Sequence, residues 1–326
     1  MSGTGTVRQW LVRRALLAVL VVAGVTILTF VLIHAAPGDP VYMLAGDGGN
    51  PAYYAEMRAR YGLDRSLLEQ LGRYVSAVAR LDLGYSFMFQ APVASVLRDH
   101  APATLMLGSA ALIVGTVAGL VAGLLCVMTG SRVVDGAVRW TASVLYAAPV
   151  FWIGQILVIT LAVRAGLFPA GGMTTAREAT VGLAWVGDVL WHLALPAVTL
   201  SLPLAAVVAR VTRAALLDVL NEPFVIATSA RGFTRLRLLL RHVAPNAMVP
   251  VVTLVGQHAG QIAAGAALTE ALFGWPGVGY LALHASLHRD YPLVTAAFLG
   301  ISASVVVFNM MTDAVCAWLD PRIPLT

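Results

Sequence analysis

Six runs of this 326-residue chain contain no Asp, Glu, Lys or Arg: 15–33, 105–128, 140–163, 189–209, 247–269 and 293–312. Each is about 20 residues long, enough for an α-helix to cross a hydrocarbon core of ~30 Å. Inside lipid a backbone N–H has no water to bond, so every run is predicted to be helical. The chain is therefore expected to be an all-α integral membrane protein with six transmembrane helices in a single domain, 1–326. Composition agrees, since 59% of the residues are apolar and only 11% are charged, too few to cover a soluble domain of this size. Arg13 and Arg14 precede the first run as they would in a signal peptide. The run is too long for a signal core, however, and no convincing cleavage site follows, so it reads as a retained anchor.

Six crossings put both termini on one side, and arginine placement says which. Segments 1–14, 129–139, 210–246 and 313–326 hold 12 Arg and 5 acidic residues, whereas 34–104, 164–188 and 270–292 hold 9 Arg and 11 acidic residues. By the positive-inside rule the termini and 210–246 are cytoplasmic, and 34–104 is the largest outer (periplasmic or extracellular) piece. All 21 basic residues are arginine, which excludes a phosphate-loop lysine, a Schiff base and a lysine general base. Any ATP consumed would be hydrolysed on another chain. With no HExxH, no GxSxG and no paired carboxylates inside a crossing, the chain is not an enzyme by itself. Cys126 and Cys316 fit packing thiols better than a disulfide or metal site. The net charge of +5 fits topology and lipid contact, not nucleic-acid binding.

Between the fourth and fifth runs lies a basic, partly polar island, NEPFVIATSARGFTRLRLLLRHVAPNAMVP (221–250). It is predicted to form two short helices joined by a tight turn. Asn221 would cap the first, Pro223 would sit in its first turn, Gly232 would take the left-handed position that ends it, and Thr234 would cap a second helix starting at Arg235. IATSARG (226–232) and RHVAPNAMVP (241–250) resemble the EAA loop of permease subunits of binding-protein-dependent ABC importers, with Ile226 in place of the family's glutamate and only Pro245 left of its closing Leu-Pro. APGDP (36–40), YGLDRSLLEQ (61–70), LDLGYSF (81–87), PATL (102–105), RDYPLV (289–294) and LDPR (319–322) look like the dipeptide, oligopeptide and nickel branch, and like its first-permease (B-type) subunit.

That resemblance implies a type I ABC importer permease in the bacterial inner membrane. Loop 210–246 would carry a coupling helix seated on a cytoplasmic ATPase, with contacts from Asn221, Glu222, Phe224, Ala227, Ala230, Arg231, Gly232, Arg241, Pro245 and Asn246. The implied partners are a second homologous permease, two ATPase subunits that bind ATP and Mg, an extracytoplasmic substrate-binding protein and membrane lipid. Short peptides are the implied cargo, with nickel chelates or glutathione as alternatives. An ion-coupled secondary transporter is the alternative from another class, but it would need buried carboxylates or broken, repeated helices, which the charge-free crossings oppose.

Other polar and small residues admit two readings each. Gly115, Gly119 and Gly123 form a ridge for close helix approach, either within the chain or toward the partner permease. Gly256 and Gly260 make another small face, beside Gln257, His258 and Gln261 near mid-membrane. These three either hydrogen-bond between helices or, with Asn309, line a pathway that offers neutral hydrogen bonds to a peptide backbone. Asn309 and Asp313, one turn apart, favour a helix-anchoring pair over a proton relay. His192 is expected to be an interfacial hydrogen-bonder, and Glu270 to sit in the headgroup zone instead of a gate. His284 and His288 have HxxxH spacing beside Arg289 and Asp290, but no third ligand is evident and no metal site is assigned. In 34–104, Ser66 and Glu69 fit a capping box, and Leu67, Leu71, Tyr74, Val75 and Val78 recur at helical spacing. That helix would lie on the outer face, as a lid or as a docking surface for the binding protein.

Overall fold

The computed structural model describes residues 3–35, 50–61, 64–175, 181–229 and 231–319. APGDP, Ala230 and all of LDPR except Leu319 lie outside them. The first run lies within α1, Gly3–Ala35. Two shorter helices follow, α2 (Pro51–Tyr61) and α3 (Leu67–Ala79). Ser66 caps α3 by accepting the Glu69 N–H at 3.4 Å, but the Glu69 carboxylate turns to Arg65 and Arg73, so only half of the capping box forms. The predicted apolar stripe also divides. Tyr74 stacks on Phe30 near the end of α1 and Gln70 lies 3.2 Å from His34 Nε2, while Leu67 and Val75 are exposed.

A small antiparallel hairpin, β1 (Tyr85–Ser86) and β2 (Ala91–Pro92), leads into α4, Val93–Thr129. The third run is not one straight crossing. It forms α5 (Arg132–Ala147) and α6 (Val150–Leu157, continued by a π-helical turn Val158–Arg164), bent by 105°. Pro149 disfavours helical backbone at the residue before it, and Ala148 is extended, at φ −76° and ψ 135°. The remaining helices are α7 (Leu183–Leu220), α8 (Pro223–Ser229), α9 (Arg235–Leu238), α10 (Ala244–Phe273), α11 (Val278–Leu287) and α12 (Tyr291–Leu319). Among the described residues five helices are long and apolar enough to span a membrane, or six spans if the bent pair counts as one.

The ridge on α4 settles where the glycines go: all three face α7. A Cβ on Gly119 would lie 2.6 Å from Val208 Cβ and 2.7 Å from Ala205 O, and one on Gly123 would lie 2.7 Å from Thr212 Cβ. With no hydrophobic drive between helices in lipid, such close backbone approach supplies the packing that holds two spans together. Leu107, Ala111, Leu204 and Val208 fill the same core, and α10 closes over it with Val251 and Ile262. Charges fasten the rest. Asp135 of α5 holds Arg213 of α7 through both carboxylate oxygens, with Arg213 Nη2 at 2.9 Å, and Arg210 sits 5.0 Å over the Tyr146 ring. Most of α1 exposes leucine and valine, including Leu16, Leu20 and Leu28, which in lipid need no protein partner. Its Arg14 pairs with Asp313 of α12, so Asp313 anchors a neighbouring helix and does not pair with Asn309.

Candidate functional site

One end of the bundle carries α8 and α9 and is called here the loop end; the other is the far end. At the loop end α7 stops at Asn221, whose backbone is helical (φ −85°, ψ −4°) and whose Nδ2 donates to Leu217 O at 2.9 Å. An N-cap needs extended backbone, so Asn221 closes α7 and does not start α8. Pro223 opens α8. Gly232 has φ 81°, the left-handed conformation that only glycine takes freely. Thr234 precedes α9 with the extended backbone of a cap but makes no side-chain cap bond.

Among the described side chains of α8, Val225 is the buried one that ties it to the bundle. It lies in an apolar cluster with Val127, Leu216, Leu238, Leu239 and Val243. Around that anchor the surface is left free: Asn221, Glu222, Phe224, Ala227, Arg231, Gly232, Arg241, Pro245 and Asn246 are all exposed. These are the sequence-predicted contact residues, apart from Ala230. Arg235 is spent within the chain, its Nη2 donating to Val127 O at 2.8 Å near the end of α4. From α9 the chain runs into α10 through a π-helical turn, Leu239–Val243, in which the Ala244 N–H reaches Leu239 O. Pro245 has no N–H to give and its ring crowds the carbonyl four residues back, so a wider turn ahead of it relieves the clash.

Along α10 the predicted pathway residues separate. Gln257 and Gln261 are exposed on one face, and neither side chain hydrogen-bonds among the described residues, so they do not bond helix to helix within this chain. His258 is half-buried, with Nδ1 3.0 Å from Leu254 O. Gly256 and Gly260 face α12 at Thr312 and Asn309. Asn309 thus belongs to the α10–α12 seam and not to the open glutamine face.

The far end holds what the sequence hid. Glu270 is fully buried, not in a headgroup zone. Its oxygens accept the Thr104 hydroxyl at 2.7 Å and the Tyr280 N–H at 2.8 Å. Asp290, also buried, accepts from the Ser86 hydroxyl and from the Met88 N–H at 3.0 Å, fixing the hairpin to the corner between α11 and α12. The segments PATL and LDLGYSF therefore meet the chain's last third through these two carboxylates. Crowded glycines at 277 and 279 were the available signal, because a Cβ on either would strike Glu270 or Ala267. His192 is buried, its Nδ1 2.9 Å from Asp188 O and 3.2 Å from Asp188 Oδ1, part of a carboxylate that also holds Thr175, so it serves as a hydrogen-bonder. His284 and His288 stack ring to ring at 6.2 Å, and Asp290 turns inward away from them.

Comparison with known proteins places this geometry. The family model described as "Binding-protein-dependent transport system inner membrane component" matches residues 115–324, and the model for the N-terminal part of such membrane components matches 7–108. The chain is 33% identical to the dipeptide transport system permease protein DppB of Escherichia coli (strain K12), covering 97% of this chain and 98% of that protein. It is 34% identical to the di/tripeptide transport system permease protein DppB of Pseudomonas aeruginosa, covering 97% and 98%, and 32% identical to the oligopeptide transport system permease protein AppB of Bacillus subtilis, covering 96% and 98%. Among solved structures, an inward-facing crystal form of the MetNI methionine ABC transporter has a chain that superposes with a TM-score of 0.53 at 16% identity, over 70% of this chain and 98% of that one. That last likeness is one of fold.

Proposed function

The chain belongs to the inner-membrane components of binding-protein-dependent transport systems, and from that membership we propose that it forms one half of the pore of an ATP-driven importer of short peptides. The observation that carries the mechanism is α8, whose outer surface is free while Val225 bolts it to the bundle. A helix so fixed can receive a push without peeling away. The loop end is cytoplasmic in this reading, supported by the excess of arginine there. Two ATPase subunits, which carry ATP and Mg, seat α8 of this chain and that of a second permease.

When ATP closes the ATPases, α8 and α9 move with them, and α10 shifts because it continues from α9 through the π turn. The bundle then opens at the far end, where a substrate-loaded binding protein delivers its cargo. Gln257 and Gln261 face the shared pore and offer neutral donors and acceptors to peptide backbones. Peptide cargo is supported by the dipeptide, di/tripeptide and oligopeptide permeases that match this chain over nearly its full length.

The test is ATP hydrolysis by the complex purified with this chain, with its binding protein added and di-, tri- and longer peptides compared with a nickel chelate. Stimulation by peptides alone is expected. Stimulation by the chelate alone would move the cargo to the metal branch, and absence of any co-purifying ATPase would overturn the importer reading.

A further inference from the structure

Glu270 lies near the far end of the same helix that the loop drives at its other end. Its carboxylate is fully buried, and no arginine pairs with it among the described residues. Its hydrogen-bond donors are neutral and come from α4 and α11, and His100 of α4 adds an electrostatic interaction. Thr104 of α4 donates its hydroxyl at 2.7 Å and Tyr280 of α11 its N–H at 2.8 Å. The Thr104 oxygen in turn accepts the Val278 N–H at 2.7 Å, so the hydroxyl both gives and receives within one closed ring of bonds. Trp275, fully buried, sends its indole N–H to Ala103 O at 2.8 Å. The loop after α6 joins from the other side, where the Gly172 N–H reaches Phe273 O at 2.7 Å.

A carboxylate buried among neutral hydrogen-bond donors is costly, and an apolar side chain could fill this volume without that cost. What the carboxylate adds is directional: an acceptor-only group holding an O–H of one helix and an N–H of another in a fixed relation to its own. We infer that Glu270 is a positioning residue for transport, locking the far end of α10 to α4 and α11 so that displacement of the loop end moves the far mouth as one body. Without the lock, α10 could shift under α8 while α4 and α11 stayed behind. The inference rests on the pore reading above.

The experiment uses the complete complex in proteoliposomes with its binding protein and a transported peptide, reading assembly, basal ATP hydrolysis and peptide moved per ATP. Glu270→Gln keeps the size but puts a donor where a second acceptor stood. Thr104→Val removes the hydroxyl, and Thr104→Ser keeps it. In Glu270→Gln and Thr104→Val, basal hydrolysis is expected to stay within about twofold while peptide per ATP falls about tenfold, within the usual range of coupling between sites. Thr104→Ser is expected to keep the wild-type ratio.

An unchanged ratio in Glu270→Gln or Thr104→Val would overturn the inference, as would a Thr104→Val defect that Thr104→Ser shares. If Glu270→Gln fails to assemble, the two Thr104 variants decide. A wild-type complex whose ATP hydrolysis ignores the loaded binding protein would instead fail the pore reading, and this inference with it.

Discussion

The seam between α4 and α7 and the glutamine face of α10 are built on opposite principles. In the seam, glycines bring backbones so close that no added carbon fits; on the face, two long polar side chains stand exposed, with no hydrogen-bond partner among the described residues. A membrane helix leaves polar groups open at that depth only where protein or water will meet them. The contrast separates what this chain completes alone from what it leaves for others.

The comparison can be broken most sharply at Gly119. Gly119→Leu would drive its side chain into Val208 and Ala205 O, and overpacking of this kind costs about 3 kcal/mol or more. Loss of the monodisperse peak in size-exclusion chromatography is expected, and a wild-type yield would show that the seam can open. Gly232→Val comes next. No atom lies within 4 Å of a Cβ there, so the effect is backbone strain alone, about 1–2 kcal/mol for a left-handed residue. Transport is expected to fall while ATP hydrolysis continues, and a wild-type ratio of peptide to ATP would detach the turn from coupling.

Asp135→Asn tests the ionic fastening of α5 to α7. Losing the bidentate partner of Arg213 should lower the melting temperature, by an amount that high salt narrows. The smallest effect is expected at the open face. Gln257→Leu with Gln261→Leu should leave the stability of the isolated chain within ~0.5 kcal/mol, since neither glutamine side chain bonds among the described residues. Peptide transport by the complex should nonetheless drop. A destabilised isolated chain would mean the face is fastened internally, and the contrast would dissolve.

The helices were legible because lipid leaves the backbone no choice, and five of the six charge-free runs became unbroken helix while the third bends at Ala148–Pro149. Pro149 was visible too, yet proline alone did not mark the bend: Pro196 and Pro203 lie inside α7 without breaking it. There the flanking residues are buried against other helices, and packing holds the turn that proline weakens. The exposed coupling surface was legible by resemblance, and its anchor Val225 was not, since one valine in a polar island carries no sign of what it will meet. Glu270 was misplaced for a related reason. Its partners are a hydroxyl 166 residues away and a backbone N–H, and a backbone donor leaves no mark in the sequence.

The ion pair between Arg14 and Asp313 sets synthesis and assembly running in opposite directions. Its two halves lie roughly 300 residues apart, so at ~5–20 residues per second the first helix waits about 15–60 s for the last to emerge. α1 is held to α3 through Phe30–Tyr74 and His34–Gln70, and to α12 only once Asp313 arrives. An insertion that delays the appearance of α12 would therefore leave α1 half fastened while the seam between α4 and α7 had already closed.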